Sequence, residues 1–91
     1  MRIQRSPRPQ IVGDRIVSSS DGLLSFALTR STSGVHVERR LIVNGSTLSL
    51  AVLLANWDEF ARFRDSDRIR YEYPLTFRQL EVAFDELFAP S

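Results

Sequence analysis

Apolar and polar residues alternate with a period of two through most of the first 54 residues, which is the pattern of half-buried β-strands. Three turn-forming dipeptides interrupt this pattern: Asp21-Gly22, Ser33-Gly34 and Asn44-Gly45. Asn-Gly and Asp-Gly suit two-residue hairpin turns, which need positive φ angles. The pattern therefore predicts a meander of four antiparallel strands, at about 15–19, 23–30, 35–43 and 46–54.

The register that these turns impose tests the assignment. Two-residue turns at the three dipeptides predict these cross-strand pairs: Val17 with Phe26, Phe26 with Leu41, Leu24 with Val43, Leu28 with Arg39, Leu41 with Leu48, Val37 with Val52, and Val35 with Leu54. All of these residues fall on one face of the sheet, which we call the core face. Because a slip of one residue would scatter them over both faces, their agreement favours this meander.

After residue 54 the apolar spacing changes to that of helices. Asn56 followed by Glu59 matches a capping box, and aromatic residues then recur every three positions, which predicts a helix over 57–65. Thr76 followed by Gln79 is a second capping box and begins an apolar stripe that ends near residue 88. Residues 68–73 alternate in polarity, and we favour an extended connector there over a fifth strand. The aromatic residues predicted to enter the core are Trp57, Phe60, Phe63, Phe77, Phe84 and Phe88.

A one-faced sheet and two amphipathic helices bury their apolar sides against each other. The predicted fold is therefore α+β: a four-stranded antiparallel β-meander followed by two α-helices packed on one face, a two-layer sandwich. We assign one domain to residues 11–88, a flexible basic N-terminal arm to residues 1–10, and a frayed C-terminus to residues 89–91.

Composition removes several chemistries. The chain has 91 residues, no cysteine and one histidine, and all 12 of its basic residues are arginine. Disulfides, thiol catalysis, lysine Schiff bases and multi-histidine metal sites are therefore excluded for a single chain. We expect no cofactor and no metal. No apolar run approaches the length of a membrane span, and no apolar segment follows the arm as in a secretory signal, so we expect a cytoplasmic protein without membrane association.

The second face of the predicted sheet carries small, hydroxylated and apolar residues with few charges. Such a face is either solvated or an association surface, and we favour association with a protein partner or a second copy of the chain, as in a homodimer. The residues assigned to this interaction face are Ala27, Thr29, His36, Glu38, Arg40, Ser49, Ala51 and Leu53.

Two other functions are alternatives. A weak single-stranded nucleic-acid-binding domain would use the arm and sheet arginines, which are Arg2, Arg5, Arg8, Arg30 and Arg40. Tyr71 and Tyr73, beside arginines, could stack on bases, although tyrosines more often cap a core edge. An enzyme would centre on His36 and Glu38, and the sequence offers no nucleophile motif beside them, so we favour a non-enzymatic module.

Two charged features have structural interpretations. Arg39 falls on the core face, where a guanidinium needs a carboxylate, and Asp58 or Glu59 of the first helix are candidate partners. The Asp65-Ser66-Asp67 segment has the spacing of aspartates in a calcium loop but lacks the glycine and the glutamate that complete one. We therefore interpret this segment as a polar helix end.

Overall fold

A computed structural model describes residues 13–88, and it confirms the α+β fold. The predicted arm at residues 1–10 and the predicted C-terminus at residues 89–91 lie outside the described residues. Four antiparallel strands lie side by side in chain order, and two helices follow them. The elements are β1 (Gly13–Ser18), β2 (Leu24–Ser31), β3 (Gly34–Val43), β4 (Ser46–Leu54), α1 (Trp57–Ser66), a 3-10 helix (Arg68–Tyr71) and α2 (Pro74–Phe88).

The turn between β3 and β4 has the predicted form. Asn44 and Gly45 both have positive φ angles, 52° and 80°, as a type I′ turn requires. The register that follows is the predicted one, with Val43 opposite Ser46 and Val37 opposite Val52.

The predicted turn between β2 and β3 is wrong by one position. Thr32 and Ser33 form the turn, and Gly34 instead begins β3 opposite Ser31. Gly34 has a φ of 137°, and a Cβ atom there would lie 2.7 Å from the carbonyl oxygen of Leu54, so this strand position needs glycine for close approach.

The corrected turn shifts the β2–β3 register by two residues. Leu28 pairs with Val37 rather than with Arg39, and Phe26 pairs with Arg39 rather than with Leu41. A shift of two keeps every side chain on its predicted face. Its consequence is that the β3–β4 hairpin extends beyond the end of β2, because Leu24 pairs with Leu41 and Val43 has no partner there.

The turn between β1 and β2 keeps its predicted register but not its predicted type. Val17 lies opposite Phe26 as expected. Gly22 has a φ of 76°, whereas Asp21 is not in the positive-φ region, so this is not a type I′ turn. Asp21 instead uses its side chain, which accepts hydrogen bonds from the Ser19 hydroxyl at 2.6 Å and from the Leu23 backbone N–H at 3.0 Å.

The first helix begins as predicted and the second does not. Asn56 caps α1 by accepting a 2.9 Å hydrogen bond from the Glu59 N–H. The second helix starts at Pro74, and the predicted cap Thr76 is buried inside its first turn. Proline suits the first helical position because its φ is already helical and its missing N–H would have no partner there. The connecting segment contains a 3-10 helix, so it is neither the fifth strand nor the extended connector.

The core lies between the core face of the sheet and the two helices. Trp57, predicted to be buried, is 41% exposed and packs at the margin of the core, 5.1 Å from the Phe60 ring and 5.6 Å from the Phe84 ring. Phe63 and Phe88 are partly buried against the core. The buried apolar residues are Val17, Leu24, Phe26, Leu28, Val35, Val37, Leu54, Phe60, Phe77, Leu80, Ala83, Phe84 and Leu87.

A bidentate ion pair joins β3 to the segment after α1. Arg39 donates from Nε to Asp67 Oδ2 at 2.6 Å and from a terminal nitrogen to Oδ1 at 3.0 Å. The two side chains are only 16% and 11% exposed. The sequence predicted a carboxylate partner for Arg39 but named Asp58 and Glu59. Asp67 also accepts a hydrogen bond from the Ile69 N–H, so it caps the 3-10 helix as well.

A second polar contact joins the first hairpin to the start of α2. The Tyr73 hydroxyl donates a 2.8 Å hydrogen bond to Asp21 Oδ2. The hydrogen bonds from Ser19, from the Leu23 N–H and from Tyr73 lower the pKa of Asp21, and its carboxylate raises the pKa of Tyr73.

Replacing Asp67 with Asn tests the ion pair. The amide keeps an oxygen that can accept from the Ile69 N–H, but it lacks the negative charge that pairs with Arg39. We therefore expect the free energy of unfolding to fall by about 2–3 kcal/mol, somewhat less than when one partner of a fully buried ion pair is removed. Urea unfolding followed by Trp57 fluorescence measures it. The control is Asp65→Asn, which removes a carboxylate from an exposed pair with Arg64 and should cost little. Equal losses in the two variants would contradict this role.

Replacing Tyr73 with Phe tests the second contact. The pKa of Asp21, followed by NMR, should rise in the variant, because a hydrogen bond to the carboxylate is lost. The folded pKa of Asp21 is lowered, so the stability that this contact supplies is present above the unfolded pKa near 3.8 and disappears as the pH falls through the folded pKa. The stability difference between wild type and variant should therefore shrink in acid. Tyr71→Phe should leave the pKa of Asp21 unchanged, since the Tyr71 hydroxyl accepts from Arg70 instead.

Candidate interaction surface

The helices cover one face of the sheet, and the opposite face, which we call the open face, has no described element against it. The eight residues of the predicted interaction face all lie there, because strand residues two apart share a face and the β2–β3 shift was an even one. The structure therefore brings them together on three neighbouring strands.

The open face is organised in rows that cross the strands. In each row a polar residue of β3 lies between smaller or apolar residues of β2 and β4. The rows are Ser25–Arg40–Ser49, Ala27–Glu38–Ala51 and Thr29–His36–Leu53. The alanines on either side of Glu38 leave a shallow depression of about 350 Å³, whose lining includes His36, Thr29 and Leu53.

The charges of the open face offset each other. Arg40 and Glu38 form an exposed ion pair, with 3.4 Å between a guanidinium nitrogen and a carboxylate oxygen. Such a pair contributes little to stability, but it leaves this part of the face close to neutral. A neutral, shallow surface matches an apolar protein contact better than it matches a charged ligand.

The same geometry bears on the enzyme alternative. Thr29 lies opposite His36, but within the described residues no hydrogen bond joins their side chains, and Glu38 is held by Arg40. Nucleophilic catalysis needs a hydroxyl or thiol that an adjacent base activates. Residues 13–88 also contain no group of three or more His, Asp or Glu side chains placed to hold a metal ion.

Two large apolar residues, Ile16 and Leu53, adjoin the depression, and sequence reasoning overlooked the first. Ile16 on β1 is 78% exposed and lies opposite Ala27, which places it on the open face. The sequence could have predicted the position of Ile16, because neighbouring side chains of a strand lie on opposite faces and Val17 was already paired with Phe26 on the core face. Leu53 belongs to the predicted interaction face, and Leu23 and Ile42 are exposed on the open face beyond the row that contains Arg40.

Part of the core face is also uncovered, contrary to the prediction. Leu48 is 53% exposed, Leu50 is 49% exposed, and Val43 is exposed as well. We call these three residues the uncovered strip. The physical reason is the two-residue shift, which carries the hairpin tip past β2, together with the position of α2, which packs against β1, β2 and β3.

The nucleic-acid alternative gains no support from the arrangement of the sheet arginines. Arg30 lies on the core side, with its guanidinium 4.8 Å from the centre of the Phe88 ring, whereas Arg40 lies on the open face. The structure does not bring these two residues together. Arg2, Arg5 and Arg8 lie outside the described residues.

The predicted tyrosine and arginine cluster is likewise divided. Arg70 stacks on Tyr71, 4.3 Å from the ring centre, and donates to its hydroxyl. Tyr73 is directed elsewhere, to Asp21. A second concave region, of about 380 Å³, lies between α1 and α2, where Arg64 bridges Asp65 and Glu81. These pairs satisfy Arg64 internally.

Comparison with protein-family models, curated proteins and solved structures finds no match to this chain. Neither described helix has the length and apolar composition needed to cross a bilayer.

Proposed function

We propose that this protein is a non-enzymatic, cytoplasmic interaction module that self-associates through the open face of its sheet. The observation that carries the proposal is the surface itself: Ile16 and Leu53 are exposed beside a shallow, nearly neutral depression, and Leu23 and Ile42 are exposed on the same face. Exposed apolar patches bordered by polar groups are characteristic of association sites.

The occupant in this proposal is a second copy of the chain, on grounds of charge and shape. Glu38 and Arg40 give each copy one negative and one positive group side by side, so a two-fold axis near them would set opposite charges against each other. The small residues beside them, Ala27 and Ala51, allow two sheets to approach closely.

Arginine substitutions in the depression test the proposal. Ala27→Arg and Ala51→Arg should each weaken self-association at least about tenfold, because a long charged side chain fills the space that a second sheet would occupy. Sedimentation equilibrium across a concentration series measures the average mass. Gln79→Arg adds the same side chain to the exposed surface of α2 and should leave the mass unchanged.

An unchanged mass in both alanine variants, with the wild-type chain associated, would overturn the open-face contact. A wild-type chain that stays monomeric at every concentration would overturn self-association altogether.

A further inference from the structure

Within residues 13–88 nothing protects the outer edge of β4. The sheet order places β4 at one end, and it has no described strand on its outer side. Natural edges are usually protected by charges, proline, bulges or short length. This strand is nine residues long, and its sequence, STLSLAVLL, contains no charged residue and no proline.

The opposite edge of the sheet is protected. There β1 carries Asp14 and Arg15. Arg15 forms an ion pair with Glu86 at 3.2 Å, and α2 packs along this strand. In the part of the chain that the structure describes, the two edges of the sheet therefore differ in charge and in helix cover, and the β4 edge is the better suited to pairing with another strand.

The type I′ turn determines which backbone groups of β4 face outward. Residues that flank a two-residue turn form a hydrogen-bonded pair, and such pairs recur at every second position. Because Val43 lies opposite Ser46, the even-numbered residues of β4 bond to β3. The residues whose N–H and C=O groups point away from the sheet are Thr47, Ser49, Ala51 and Leu53, and all four are exposed.

We propose that two copies of the chain pair through their β4 edges, antiparallel and about a two-fold axis at Leu50, to form one continuous eight-stranded sheet. This register sets Thr47 opposite Leu53 of the second copy and Ser49 opposite Ala51 of the second copy. All four outward residues of each strand then find backbone partners. The contact is separate from the open-face contact proposed above.

The side chains of the core face support this register. Leu50 meets Leu50 of the second copy, so two half-exposed leucines cover each other. Leu48 meets Val52 of the second copy. The row through this pair already contains Leu24 and Leu41 in the first copy. The apolar core then continues across the joined edge and covers residues of the uncovered strip.

The charges of the open face are complementary in the same register. The row that contains Arg40 and Ser49 continues into Ala51 and Glu38 of the second copy. The two open-face rows that pass through Ser49 and Ala51 therefore each have a positive residue at one end and a negative residue at the other, and the rows through Thr47 and Leu53 contain neither Arg nor Glu. A second copy of the chain fits this edge because its apolar positions and its charges both match themselves under the two-fold rotation.

Hydrogen exchange tests the pairing in the wild-type chain. Protection of the Thr47, Ser49, Ala51 and Leu53 amides should rise with protein concentration, in step with the mass, because pairing occupies these four N–H groups. Self-association without protection of these amides would overturn the edge contact and leave the open-face contact standing. Protection that persists at concentrations where the chain is monomeric would place another segment of the same chain on the edge and would also overturn it.

Charge substitutions at the proposed two-fold axis test its position. Leu50→Lys and Leu50→Glu alone should each weaken edge pairing at least about tenfold, because like charges would lie directly opposite each other. An equal mixture of the two variants should restore pairing, since Lys then faces Glu. Val82→Lys replaces a similarly exposed apolar residue on α2 and should have no effect.

Failure of the mixture to regain amide protection, with both variants folded by circular dichroism, would overturn the register. Ala27→Arg separates the two contacts, because it should weaken the open-face contact and leave the four edge amides protected.

Discussion

The ion pair between Arg39 and Asp67 determines where the core of this protein ends. It connects the middle of β3 to the segment between the helices, in the row that also contains Phe26 and Leu50. On the β2 side of this pair the apolar residues are buried, and on the β4 side Leu48 and Leu50 are half exposed. A bidentate pair with little exposure requires both partners to stay in place, so the helical layer cannot slide outward over β4 without breaking it.

This constraint makes the two edges of the sheet unequal. The helix α2 lies over β1, β2 and β3 and supplies Glu86 to Arg15 at the β1 edge. The last strand then relies on β3 for its backbone bonds and on a short stretch near Leu54 for burial. The uncovered strip and the exposed β4 edge thus share one cause, a helical layer narrower than the sheet beneath it, and the two-residue β2–β3 shift adds to the exposure of the hairpin tip.

The sequence predicted which face of the sheet each residue lies on, but it did not predict which of these residues the helices bury. Alternation with a period of two depends on local geometry, so the faces of Ala27 and Leu41 were correct even though the β2–β3 turn was misplaced. The turn itself could not be derived, because Gly34 is required by a close approach to Leu54, twenty residues away along the chain. The identity of Asp67 as the partner of Arg39 was inaccessible for the same reason. The exposure of Leu48 and Trp57 depends on where the helices pack on the sheet, and the apolar spacing of the neighbouring sequence does not determine that position.

The two candidate surfaces differ in the same way: the open face depends on local strand geometry, whereas the β4 edge depends on the order of strands in the sheet. The residues of the open face were predictable, because side chains along a strand alternate between the two faces of the sheet. The same rule places Ile16 on the open face. The position of β4 at the outer edge could be known only from the observed strand order, because the sequence STLSLAVLL suits a central strand as well as an outer one. A central strand of this composition would be unremarkable in a buried sheet. At an outer position the same nine residues leave the outward N–H and C=O groups of four residues without hydrogen-bond partners, and they leave Leu48 and Leu50 half exposed. A second identical strand would bond to the backbone groups and cover the leucines at the same time.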